Sequence, residues 1–161
     1  MKTTRLLALV GLPALMACAT EKAATAPPPP PPTFTVSLTP GAEIPPCASA
    51  GGNASGTATI TVAPDDSSIN ATVSYSGLSG EPTAAHLHAG PASALGPVVL
   101  PFSGSLASPF SKTFTAADYV AAVGAPLDFP SFVTALKAGG AAYVNVHTAA
   151  CKPGEIRGEI Q

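Results

Sequence analysis

All three histidines of this 161-residue chain lie in two short stretches, Thr83 to Gly90 (TAAHLHAG) and Ala141 to Thr148 (AAYVNVHT). On an extended strand, residues two apart share a face. His86 and His88 therefore point one way and Leu87 the other. In the second stretch Val144 and Val146 form an apolar face, while Tyr143, Asn145 and His147 project from the opposite one. If the two strands are neighbours, three imidazoles converge on the face away from the core. Such a trio can place three nitrogens about 2.0–2.1 Å from Zn²⁺ or Cu²⁺ and leave a fourth position for water or a carboxylate. Ligating histidines need outer partners that fix their tautomers, and Glu43, Asn145, Glu155 and Arg157 are the polar residues available for that role. One Cu²⁺ or Zn²⁺ is the cofactor this pattern predicts. The alternative is a metal-free, hydrogen-bonded polar layer in which the same histidines join Glu43, Glu155 and Arg157 to pin strands and loop together.

Other chemistries find little support. Glu155, Arg157 and Glu159 alternate with Ile156, Gly158 and Ile160, a spacing that predicts a cross-strand ion-pair ladder rather than a catalytic device. No Ser/His/Asp constellation is recognisable by spacing, and a hydrolytic zinc centre with Glu43 or Glu155 as general base is a minor reading. Neither G-x-x-x-x-G-K nor G-x-G-x-x-G occurs, so no phosphate cradle is predicted. Charged residues make up only 10% of the chain. Without Lys2 and Arg5 there remain five basic and nine acidic side chains, a formal charge of −4, which offers nothing to nucleic acid. The chain reads as a binding module, not an enzyme, with a protein or glycan as its unspecified partner.

Elements must position those histidines, and the chain divides into three parts to do so. Residues 1–17 combine a basic start, Lys2 and Arg5, with an apolar run from Leu6 to Ala17 that is too short to span a bilayer; they read as a secretory signal. The ending Leu15-Met16-Ala17-Cys18 resembles the bacterial lipobox, which implies lipidation of Cys18 and anchorage to a membrane through acyl chains. Ala19 in place of Asp favours the outer membrane of a bacterial envelope. Residues 18–33 carry six consecutive prolines, a polyproline II spacer of roughly 19 Å. Residues 34–161 then suit one domain.

Both methionines, Met1 and Met16, fall in the signal, so a thioether copper(I) site is excluded. With Cys18 assigned to lipid, Cys47 and Cys151 remain, and export predicts a disulfide between them. Closing a loop of about 100 residues is worth about 4.7 kcal/mol in the chain-entropy model. The bond would also bring the loop around Glu43 close to the end of the sheet that carries His147.

Within the domain, alternating apolar and hydroxyl residues predict strands at Phe34–Thr39, Ala58–Val62 and Ile69–Ser76, followed by the first histidine strand. Val98–Phe102 and Phe110–Phe114 continue the pattern, with Pro101 arguing for an edge or bulge. Tyr143–His147 and Glu155–Ile160 read as a closing hairpin. Thr115–Asp118 has the spacing of a capped helical turn. Asp128–Lys137 predicts a helix with Pro130 in its first turn, Phe129, Phe132, Val133 and Leu136 on one face, and Gly139-Gly140 as its stop. The sum is all-β, an antiparallel β-sandwich or barrel with one or two short helices.

Four segments, Gly41–Pro46 (GAEIPP), Ala85–Gly90 (AHLHAG) with Gly96–Val99 (GPVV), Tyr143–Thr148 (YVNVHT) and Gly154–Gly158 (GEIRG), occur in the order seen in the CHRD domain. The chain resembles that family over residues 34–161. The resemblance implies an extracellular β-rich module of poorly defined molecular activity, and chordin's antagonism of growth factors does not transfer with the fold. The H-x-H pair is also similar to that of Cu,Zn superoxide dismutase. That enzyme needs more histidines than these three, so dismutase activity is not expected.

Overall fold

The computed structural model describes residues 29–91 and 93–161. The expected signal over residues 1–17, Cys18 with its expected lipidation, and the first part of the proline spacer lie outside the described residues. Eight strands form: β1 (Thr33–Leu38), β2 (Ser55–Val62), β3 (Ser68–Ser76), β4 (Pro82–Ala89), β5 (Val98–Pro101), β6 (Phe110–Thr115), β7 (Ala142–Thr148) and β8 (Ile156–Ile160), with one helix, α1 (Phe129–Ala138). They make two four-stranded sheets, in the orders β1-β2-β3-β6 and β5-β4-β7-β8, and every ladder is antiparallel. The architecture is an open β-sandwich and not a closed barrel.

Alternation explains the first sheet. Ala58, Ile60 and Val62 of β2 and Ile69, Ala71 and Val73 of β3 are fully buried, since residues two apart share a face. The opposite face carries Thr35, Ser37, Thr57, Thr59, Asn70, Thr72 and Thr113, all exposed or half-buried. Threonine suits a pleated surface and its hydroxyl suits water, so this face is wetted with hardly any charge. Cross-strand contacts such as Asn70 Nδ2 to Thr113 Oγ1 at 3.0 Å tie its rows together.

In the second sheet β7 lies between β4 and β8, and all seven of its residues are buried. One face, with Val144 and Val146, joins the sandwich core. The other, with Tyr143, Asn145 and His147, lies beneath loops and forms a second, polar interior. Pro101 ends the edge strand β5, as expected for a proline without an amide donor, and the β4/β5 register shifts between Leu87 and His88, where Val99 is the extra residue.

The helix forms as its sequence predicts. Asp128 caps it by accepting from Ser131 N at 2.9 Å, and Gly139, at φ 82°, ends it. Phe129, Phe132, Val133 and Leu136 enter the core. The Thr115–Asp118 segment is a single 3₁₀ turn over Ala116–Asp118, with Thr115 N donating to Asp118 Oδ2 at 2.9 Å. A second 3₁₀ turn, Pro40–Ala42, was not foreshadowed by periodicity because three residues are too few to show one. Among the described residues no helix is long and apolar enough to cross a membrane.

The sheets meet at a seam between β1 and β8, where Thr39 and Arg157 exchange backbone hydrogen bonds of 2.9 and 3.1 Å. Gly158 makes this possible. A Cβ there would collide with Ser37 O and with the Val36 and Leu38 side chains. Gly158→Val should therefore destabilise the fold by about 1–3 kcal/mol through overpacking, read as a lower urea midpoint. An unchanged midpoint would show that the seam contributes nothing.

Candidate metal centre

The β4/β7 register sets His86 opposite Asn145, His88 opposite Tyr143, and His147 opposite the small Ala84. Ala84 leaves room for the His147 ring to lean diagonally, and His86 Nδ1 lies 3.0 Å from His147 Nε2. The convergence expected from alternation is present: the ligand atoms of the three histidines lie within 4.8 Å of one another, an arrangement able to hold a metal ion. His88 and His147 are 8% exposed, while His86 is only half-buried. The site therefore opens to solvent on the His86 side.

Two backbone carbonyls decide the protonation pattern. His88 Nδ1 lies 2.8 Å from Gly96 O, and His147 Nδ1 lies 2.8 Å from Lys152 O. A carbonyl only accepts, so each Nδ1 carries its proton and each neutral ring turns an Nε2 lone pair inward. Both lone pairs face the same atom, Asn145 Oδ1, at 3.1 Å for His88 and 3.0 Å for His147. Burial disfavours the charged form of all three rings. It pushes His86 down to about 4, with the nearby His147 and His88 adding to the effect, and it holds His88 and His147 below the usual histidine range. The neutral site is thus a cluster of acceptors with too few protons between them, which is the electronic character of a cation site.

Tyr143 and Arg157 build the wall beside it. The His88 ring stacks on Tyr143 with centroids 4.5 Å apart and planes 10° apart, and the Arg157 guanidinium sits 3.4 Å from the same tyrosine centroid. Arg157 Nη2 donates to Pro91 O at 3.0 Å and to Ala94 O at 2.8 Å, and Gly96 N donates to Tyr143 Oη at 3.0 Å. These bonds hold the β4–β5 loop over the polar face.

Glu43 reaches the site as expected, carried by the disulfide between Cys47 and Cys151. Its carboxyl packs against Gly154, where any Cβ would collide with it; φ at that glycine is 142°. Burial pushes Glu43 up to about 7, against the lowering influence of the Arg157 charge and of hydrogen bonding with the Asn145 side chain. Its Oε1 is buried without a hydrogen-bond partner.

Glu155 does not join the histidines. It precedes β8, and its fully buried carboxylate accepts from Gly51 N at 2.8 Å, Ser79 N at 2.6 Å, and the Ser79 and Thr148 hydroxyls at 2.5 Å each. Burial opposes its charge, yet these bonds win and hold the carboxyl below its ordinary value. The residue ties two loops to the end of β7. The Glu155–Arg157–Glu159 ladder is accordingly replaced by a loop anchor at Glu155 and an aromatic stack at Arg157. Tyr143 was legible as a member of the polar face; Gly96, Lys152 and Ser79 were not, because they act mainly through backbone groups.

Linkage gives Glu43 and His86 opposite signs. Between about 4.5 and about 7 folded Glu43 binds more protons than the unfolded chain, so its stabilising effect is complete at the acid end and lost as pH rises through 7. His86, with a folded value of about 4 against 6.5, contributes above 6.5 and loses that contribution as pH falls through 4. In metal-free protein, Glu43→Gln should gain stability relative to the parent between about pH 5 and about pH 8, by up to about 3 kcal/mol. Urea unfolding in chelator at several pH values checks this; a difference that does not vary with pH would mean Glu43 is ionised throughout.

A protein-family model described as the CHRD domain matches residues 34–160. No curated protein and no solved structure matches the chain.

Proposed function

The chain belongs to the CHRD domain family, and on that premise we propose that it is a non-enzymatic, lipid-anchored metal-binding module of the bacterial cell envelope, holding one Cu²⁺ or Zn²⁺ through His86, His88 and His147. The observation that carries the reading is the tying of two Nδ1 protons to carbonyls, which leaves two Nε2 lone pairs converging on one point. Outer hydrogen bonds of this kind orient metal-ligating histidines and raise their basicity. Imidazole nitrogen suits zinc and copper(II), and rings held neutral by burial need no deprotonation to bind at pH 7.

Anchorage rests on the sequence Leu15-Met16-Ala17-Cys18, and export is in keeping with a disulfide, which persists in oxidising compartments. Cells grown with radiolabelled palmitate should label the parent chain and not a Cys18→Ser variant. Equal labelling of both would remove the anchor from this reading.

The second reading is a metal-free layer that stiffens a surface for a protein or glycan partner. In its favour, a proton on His86 Nδ1 would satisfy His147 Nε2 at 3.0 Å without any ion. The full chain, exported so that its disulfide forms, should retain about one Cu²⁺ or Zn²⁺ per molecule after dialysis. A His86/His88/His147 triple alanine variant should retain none, both read by mass spectrometry. A parent that dialyses empty would retire the metal site and leave the histidines as architecture.

A further inference from the structure

We propose that Asn145 is itself a ligand, its carbonyl oxygen completing a three-nitrogen, one-oxygen set with His86, His88 and His147. This rests on the metal reading above and goes beyond the three-histidine group. Asn145 is 2% exposed and sits in the middle of the central strand, opposite His86 on β4 and Arg157 on β8. Its Oδ1 is the one atom that both inward-facing Nε2 groups approach, at 3.0 and 3.1 Å. As hydrogen bonds those contacts lack protons, because both rings have committed theirs to Gly96 O and Lys152 O. A proton on His86 Nδ1 can satisfy His147 Nε2, but the His88 Nε2 and Asn145 Oδ1 lone pairs still repel one another unless a cation lies between them or the amide turns its NH₂ to the rings.

Three of the separations match that cation, while the widest histidine pair, 4.8 Å apart, must close to about 4.2 Å or less for both nitrogens to bond it. Two donors bonded at about 2.1 Å and about 90° apart stand about 3.0 Å from one another, whereas tetrahedral ligands stand about 3.4 Å apart. The His147–Asn145, His88–Asn145 and His86–His147 separations are 3.0, 3.1 and 3.0 Å. Right-angled nitrogen and oxygen donors are the preference of copper(II), which makes Cu²⁺ the favoured ion. Behind Asn145 lies Glu43, an acceptor that engages the asparagine side chain. Drawing the amide NH₂ toward a carboxyl leaves Oδ1 toward the histidines.

The test titrates Cu²⁺ into the metal-stripped full chain, with Asn145→Asp and Asn145→Ala alongside, reading affinity by chelator competition and coordination by electron paramagnetic resonance. Near-UV circular dichroism reports whether each variant keeps its tertiary packing. The parent should bind one Cu²⁺. Asn145→Asp should bind at least as tightly with altered copper hyperfine parameters, and folded Asn145→Ala at least about tenfold more weakly. Parental affinity and an unchanged spectrum in the folded variants would overturn the assignment of Asn145 while leaving the histidine site intact. Should Asn145→Ala not fold, the spectrum of Asn145→Asp decides alone, since a carboxylate bound in place of an amide must change it. A parent that takes up no copper would overturn the metal reading itself, and this assignment with it.

Discussion

Two hydrogen bonds, from the Nδ1 atoms of His88 and His147 to the carbonyls of Gly96 and Lys152, tie the site to the fold. They act in both directions. Toward the loops, they hold the β4–β5 segment and the turn after β7 against the sheet. Toward the site, they choose the tautomer of each ring and so direct both Nε2 lone pairs inward. Buried polar groups are costly when unpaired, and this arrangement turns the two inward Nε2 atoms onto one point beside Asn145. A site with that character follows from satisfying the periphery first.

The loops that cover the polar face are secured by interactions of different kinds. A disulfide spanning 104 residues brings the Glu43 loop to the turn that precedes β8. Gly154 accepts the carboxyl of that loop in a space no other residue could leave open. Glu155 binds two loop amides and two hydroxyls, and Arg157 lies flat on Tyr143 while holding the carbonyls of Pro91 and Ala94. Since burial rather than charge pairing depresses the histidines most, the loops determine the site's electrostatics as much as its shape. His86 alone retains substantial exposure, which gives the site its route to solvent.

The fold was largely legible because most of its strands alternate cleanly. Ile69, Ala71 and Val73 against Asn70, Thr72 and Ser74 leave one register available to β3, and the Asp128–Pro130 cap with Gly139 bounds the helix. The disulfide partners were expected from the cysteine count together with an expected export, and Cys47 and Cys151 are bonded. Convergence of the histidines followed from period-two spacing, given only that β4 and β7 are neighbours. The role of Glu155 was not legible in this way. Strand alternation placed it beside Arg157, but its backbone lies just before β8, and its partners Gly51, Ser79 and Thr148 come from three separate parts of the chain.

What the amino-acid sequence determined by itself is therefore local and periodic: which residues share a face, and where the helix begins and stops. Whether the histidine face would meet water was decided by tertiary structure. Alternation separates two faces of a strand without saying what covers the second, and in β7 both are buried. The tautomers, the lowered histidine values and the raised Glu43 value all arise from loops brought over that face by the disulfide, by Gly154 and by the Tyr143–Arg157 stack. These contacts join residues far apart in the chain, so no local pattern of side chains records them.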